Sequence, residues 1–188
     1  MHRDVSPGNV MITYGGVVKL TDFGIAKARK VMRDQEGEVL LGKARYMSPE
    51  QAQFKVTDRR SDIFAAGIVL HEILSGEALF DGADTIVTLE SVVSREIKPL
   101  RDVAPHVAPE VCRIVDKALE RRLDRRYQTA GRMGFELESF MYGNRFGPTN
   151  ISLHRYLKTL WPDAVSSIRD HQSLLCFAGA PVSVAVKM

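Results

Sequence analysis

Cysteine is scarce in this sequence, and long apolar runs are missing. The 188 residues include two cysteines, Cys112 and Cys176, whose separation matches no metal-binding or redox spacing. We therefore expect two free thiols in a reducing, cytoplasmic compartment. No run of about 18 or more apolar residues is present, and no basic region followed by an apolar one opens the chain. The sequence predicts no membrane segment within these residues.

Hydroxyl side chains are missing from one long segment, residues 25–45, which contains no Ser, Thr or Tyr. Phosphorylation inside this segment is chemically excluded, because that modification needs a hydroxyl acceptor. The nearest acceptors are Thr21 before the segment and Tyr46 and Ser48 after it.

Neither acidic nor basic residues are in large excess. The net charge is +3, and the composition is 45% hydrophobic and 26% charged, which is typical of a globular domain. The basic residues are scattered apart from the run 121–126, which we interpret as a solvated turn. We expect one domain with a packed core and no nucleic-acid partner.

A hairpin is the clearest local pattern that is present. Residues 10–13 and 17–20 are apolar, strand-prone runs, and a glycine-rich turn separates them. Because a hairpin brings its two ends together, Asn9 and Asp22 should be neighbours, with Asp4 one loop away. Hard oxygen ligands in such an arrangement suit Mg²⁺, which prefers one or two protein ligands together with phosphate oxygens.

Apolar periodicity predicts helices in the rest of the chain. Residues 61–76 are apolar on nearly every face and end at a glycine, which indicates a buried central helix. Further helices are predicted at residues 84–95, 109–120, 129–141 and 152–161, and a strand-like or disordered tail at 174–186.

The motifs at the start resemble those of a known family. His2-Arg3-Asp4, Asn9 and Asp22-Phe23-Gly24, in this order and spacing, resemble the catalytic loop and metal-binding motif of eukaryotic-type (Hanks-type) protein kinases. The sequence of residues 45–51 is most similar to that of the bacterial serine/threonine branch of these kinases. The resemblance implies a fold that is α+β by family and mainly α here. The implied fold is the large lobe of a kinase, with a small β-hairpin that carries the catalytic loop and the DFG motif.

The resemblance covers residues 1–141, and we expect a linker at 142–150 and a C-terminal helix and tail at 151–188. It implies that Asp4 orients the substrate hydroxyl and accepts its proton. Asn9 and Asp22 would hold Mg²⁺ against the phosphates of ATP, and Met11 would lie under the adenine. The implied cofactors are ATP and Mg²⁺.

The resemblance also implies structural supports. Asp62 would bond backbone N–H groups of the catalytic loop, and a bridge would join Glu50 to Arg126. The supporting residues are His2, Arg3, Phe23, Gly24, Glu50, Asp62 and Arg126.

Arg3 pairs with a loop phosphate in the family, but the segment after Asp22 offers no acceptor. We hypothesise that Asp34, Glu36 or Glu38 supplies a fixed negative charge for Arg3. The alternative is that all three acids face water, since exposed ion pairs are weak.

Two positions depart from the family pattern. Ser6 stands where serine/threonine kinases usually carry Lys, and Lys43 stands where they usually carry Thr. One hypothesis is an exchange, in which the Lys43 ammonium reaches the transferring phosphate and the Ser6 hydroxyl bonds near Asp4. The alternative is drift in a degenerate copy. We count Asp4, Lys43 and Ser6 as the candidate catalytic residues.

The sequence contains no Gly-x-Gly-x-x-Gly loop, and nothing in it resembles the strand lysine or the helix glutamate of the small kinase lobe. We therefore predict the catalytic half of a protein serine/threonine kinase, and we expect the isolated chain to be inactive without an N-terminal lobe. Its expected partners are a protein substrate and the missing N-terminal lobe or regulatory domains. The alternatives are a non-catalytic binding or scaffold module, an incomplete gene model, and, less favoured, a small-molecule phosphotransferase.

Overall fold

The computed structural model describes residues 1–22, 43–147 and 149–162, and the backbone of residues 174–176. These residues are mainly helical and include a small antiparallel sheet. The predictions made for Phe23, Gly24, Asp34, Glu36 and Glu38 lie outside the described residues.

The predicted hairpin is present. One turn of 3₁₀-helix, Pro7–Asn9, leads into strand β1 (Val10–Thr13), which pairs with strand β2 (Val18–Leu20) from Val10↔Leu20 to Ile12↔Val18. Gly16 closes the turn with φ +81°, a backbone conformation that favours glycine. A third strand, β3 (Leu174–Cys176), pairs with the other edge of β1, so the strand order is β2-β1-β3.

Each predicted helix is found, with slightly different ends, and side chains cap several of them. Asp58, Asp84, Thr129 and Thr149 each accept a hydrogen bond from a first-turn N–H. None of the helices in the described part of the chain combines the length and apolar character that a membrane crossing requires. The helices are α1 (Pro49–Ala52), α2 (Arg59–Ser75), α3 (Thr85–Ser94), α4 (Leu100–Val103), α5 (Pro109–Ala118), α6 (Ala130–Gly143) and α7 (Asn150–Leu160).

Helix α2 is the centre of the core, as its apolar sequence predicts. Phe64 and Ile68 are fully buried in one cluster, and Ile63 is buried in a second cluster. A Cβ added to Gly67 would lie 3.0 Å from the side chain of Ala118, so α2 and α5 approach closely there. The main partners in the first cluster are Phe80, Val92, Leu100 and Val115, and in the second Ile114, Ala118, Tyr127 and Met133.

A buried ion pair joins α1 to the chain that follows α5. Arg126, only 2% exposed, donates through Nη1 to Glu50 Oε1 at 2.8 Å and through Nη2 to Oε2 at 3.2 Å. The Ser61 hydroxyl donates to the same carboxylate, and Arg126 also donates to the carbonyls of Arg60 and Glu120. Burial raises the pKa of Glu50, but the bonds from Arg126 and Ser61 outweigh it and the net pKa is lowered. The pairing that the resemblance implies is therefore formed, with every charge satisfied.

The basic run 121–126 is not a solvated turn throughout, so that prediction is wrong for two of its arginines. Arg121 donates to the carbonyls of Val92 and Arg95 at the end of α3, and burial lowers its pKa. Arg126 is buried, whereas Arg122 is exposed. Arg121 and Arg126 therefore make contacts within the fold and do not form part of a solvated turn.

Replacing Arg126 with Met should destabilise the fold, because Glu50 would stay buried without its countercharge. Breaking such a pair costs about 3–5 kcal/mol of unfolding free energy. Arg122→Met is the matched control, since Arg122 pairs with Asp124 at the surface. Chemical denaturation of both variants measures the difference, and equal unfolding midpoints would contradict the assigned role.

Candidate active site

The loop formed by residues 2–9 is fastened to the central helix by one carboxylate. Asp62, in the first turn of α2, accepts the backbone N–H of His2 at Oδ2 and that of Arg3 at Oδ1, both at 2.7 Å. This is the contact that the resemblance implies for Asp62. Because α2 contributes Phe64 and Ile68 to the core, the loop is held against the core.

Arg3 has a strained backbone. Its φ is +72°, in the left-handed region, which costs an ordinary residue about 1–3 kcal/mol. The bond to Asp62 offsets this cost, as does the bond from Gln51 Nε2 to the Arg3 carbonyl. The residue itself is exposed.

His2 connects the loop to the far end of the hairpin. Its ring is buried, Nδ1 bonds to the backbone N–H of Asp4 at 3.3 Å, and Nε2 bonds to the Thr21 carbonyl at 3.0 Å. An N–H group can only donate and a carbonyl can only accept, so Nδ1 is the acceptor and Nε2 carries the proton. The buried imidazole therefore positions Asp4 relative to Thr21.

Asn9 makes a second connection between the loop and the far end of the hairpin. Its side-chain nitrogen donates to the Asp4 carbonyl at 2.6 Å, and its own carbonyl accepts the N–H of Thr21 at 2.9 Å. Asp22 follows Thr21 directly, is exposed, and has φ +60°. The hairpin thus brings the chain positions of Asp4, Asn9 and Asp22 to one edge.

Lys43 reaches the same edge from a distant part of the chain. Its ammonium group lies 2.7 Å from Asp4 Oδ2, and the two side chains are 26% and 16% exposed. Ser6 is buried and makes no side-chain cap on the 3₁₀-helix that follows it. The structure therefore places Lys43 beside Asp4, and the hydroxyl bond that we expect from Ser6 stays a prediction.

The residue types at this edge are among those that Mg²⁺ prefers as ligands. An amide and a carboxylate provide hard oxygens, and no cluster of three or more His, Cys, Asp or Glu side chains that could hold a metal exists among the described residues. Mg²⁺ requires no such cage, because substrate phosphates and water complete its coordination. Met11 is buried in β1 between its register partners Lys19 and Cys176.

The segment after Lys43 is anchored by contacts that the sequence does not predict. The Tyr46 hydroxyl donates to Glu72 Oε2 at 2.7 Å, and Arg45 pairs with Asp81 at 2.6 Å. Burial, with the bond to Glu72, raises the pKa of Tyr46, and burial also raises the pKa of Glu72. One feature of the sequence could have indicated this contact. Glu72 lies within an apolar helix, where a carboxyl group requires a hydrogen-bond donor.

Comparison with known proteins gives consistent matches. The sequence matches the family described as "Protein kinase domain" over residues 1–133. It is 39% identical over 158 residues to the tyrosine-protein kinase MasK of Myxococcus xanthus, covering 84% of this chain and 24% of that protein. It is 42% identical over 143 residues to the serine/threonine-protein kinase PknB of Mycolicibacterium smegmatis, covering 73% of this chain and 22% of that protein. It is 33% identical over 153 residues to the serine/threonine-protein kinase PrkC of Bacillus subtilis, covering 81% of this chain and 24% of that protein. The chain spans about a quarter of the length of these curated relatives.

Replacing Asp62 with Ala should loosen the loop, because two backbone N–H groups would lose their acceptor. We expect a loss of about 1–3 kcal/mol in unfolding free energy and faster amide exchange at His2 and Arg3. Asp102→Ala is the control, since that carboxylate is exposed beside its neighbour Arg101. Exchange at both amides that matches the control would contradict the anchoring role.

Proposed function

The chain belongs to the protein kinase domain family, and from this premise we propose that it is the catalytic half of a bacterial-type serine/threonine kinase. The reaction would transfer the γ-phosphate of ATP to a hydroxyl group of a protein. The observation that carries the proposal is the Asp4 carboxylate, held 2.7 Å from Lys43 on a loop that Asp62 ties to the core.

In this proposal the hairpin carries the catalytic loop at its entrance and the DFG motif at its exit. Lys43 binds one carboxylate oxygen of Asp4, which leaves Oδ1 to accept the hydrogen of the substrate hydroxyl. Since phosphoryl transfer depends mainly on positioning, a carboxylate fixed by neighbouring groups suits this role.

Asn9 and Asp22 would hold the metal. The Asn9 nitrogen is engaged by the Asp4 carbonyl, so its amide oxygen is the atom for a cation. When bound, Mg²⁺ would neutralise phosphate charge, while Asn9 and Asp22 fix its position. Met11, next to this edge on β1, would support the adenine.

The exchange hypothesis for Ser6 and Lys43 receives support from the contact between Lys43 and Asp4. Transfer of a phosphoryl group needs a cation near its equatorial oxygens. Lys43 stands beside the carboxylate where that group would arrive, although it comes from a different segment than the usual lysine.

A second candidate is a non-catalytic binding or scaffold module. The non-catalytic module is favoured by the lack of a Gly-x-Gly-x-x-Gly loop in the sequence. The cytoplasmic location and the preference for serine or threonine stay predictions, and MasK is named a tyrosine-protein kinase.

Nucleotide binding separates the two candidates. We expect Mg-ATP to raise the melting temperature of the 188-residue chain, because ligands that bind only the folded state stabilise it. Asp22→Asn should reduce this shift, whereas the surface variant Asp124→Asn should keep it. Differential scanning fluorimetry with ATP and Mg²⁺, or with ATP and EDTA, measures the effect. Absence of any shift would favour the non-catalytic module.

The exchange hypothesis is tested in a complete kinase domain that carries this sequence. Lys43→Ala should lower kcat on the order of 10²-fold, as for loss of one transition-state donor. Lys55→Ala, at an exposed lysine, is the control. The double variant Ser6→Lys, Lys43→Thr should keep near-normal turnover. An unchanged kcat in Lys43→Ala would discard the hypothesis.

A further inference from the structure

The tip of the hairpin packs directly on the first turn of helix α7. A Cβ added to Gly16 would lie 2.0 Å from the carbonyl oxygen of Asn150 and 3.0 Å from the backbone nitrogen of His154. Such short contacts involve backbone atoms on both sides and cannot be relieved by a side-chain rotation. Gly16 is thus required by its positive φ and also by the proximity of α7.

Side chains of α7 complete this contact. His154 Nδ1 bonds to the Tyr14 carbonyl, 140 residues away in sequence, and must be the donor because a carbonyl only accepts. Leu157, one turn further along α7, is 2% exposed, whereas Leu160 is 43% exposed. One face of α7 is therefore buried, and the Thr149 side chain caps its start.

The open edge of β1 is covered as well. Strand β3 pairs with β1 in the register Met11↔Cys176, Ile12↔Leu175 and Thr13↔Leu174. Helix α7 and strand β3, which we call the C-terminal brace, both follow residue 133, where the family match ends. The tip and one edge of the hairpin are held by residues outside that match.

The hairpin needs this support. Its strands are four and three residues long, and all three residues of β2 are exposed. A two-stranded hairpin alone is marginally stable in water, and a third strand or a packed helix is required for stability. The same strands fix Asn9, which directly precedes β1, and Thr21, which directly follows β2.

We propose that the C-terminal brace positions the hairpin, and that His154 is a positioning residue for the metal-binding edge at Asn9 and Asp22. Release of the brace would let the hairpin open locally while the helical core stays folded. The effect on nucleotide binding rests on the proposed kinase function, but the effect on the hairpin does not.

The test uses the full chain with His154→Ala and Leu157→Ala. The matched controls are His106→Ala, at an exposed histidine, and Leu160→Ala, on the exposed side of the same helix. Amide exchange is followed in β1 and in the core helix α2, and Mg-ATP affinity is measured in parallel. His154→Asn, which retains a side-chain N–H donor, tests rescue.

We expect β1 amides to exchange at least about tenfold faster in the two brace variants, with α2 unchanged, because the opening is local. We also expect weaker Mg-ATP binding, and partial recovery of both in His154→Asn. Exchange in β1 equal to the controls would overturn the proposal, as would faster β1 exchange with unchanged Mg-ATP affinity. Faster exchange in a chain whose wild type binds no Mg-ATP would support the brace and would favour the non-catalytic module.

Discussion

The Asp62 carboxylate is the constraint on which the rest of the site depends. It is the point where a buried helix and a polar loop meet, since each of its oxygens accepts a backbone N–H from the loop. Two further contacts extend from the anchored loop: His2 and Asn9 bind Asp4 on one side and the end of the hairpin on the other. A core helix thus determines the position of the loop that carries Asp4.

The local parts of this arrangement could be predicted from the sequence. The hairpin followed from two apolar runs and a glycine-rich turn, and α2 from its apolar faces and Gly76, which has φ +75° at its end. Both signals arise from neighbouring residues, whose conformational preferences are independent of the rest of the fold. The bridge between Glu50 and Arg126 was predicted from resemblance alone, because no local pattern relates residues so far apart.

The remaining contacts could not be predicted because they join distant residues or very short elements. Helices α1 and α4 have four residues each and β3 has three, too few for a periodic pattern to be recognised. The contact between Tyr46 and Glu72 depends on how a loop lies across α2. A run of charged residues predicts a solvated segment, so the sequence does not indicate that Arg121 donates to a backbone carbonyl near the end of α3.

The bond between His154 and Tyr14 has a consequence for biosynthesis. The hairpin leaves the ribosome 140 residues before its histidine partner, so at translation rates of about 5–20 residues per second it waits roughly 7–28 seconds. During that interval the exposed edge of β1 is available to chaperones or to strands of neighbouring nascent chains. A segment translated early is thus among the last to be completed.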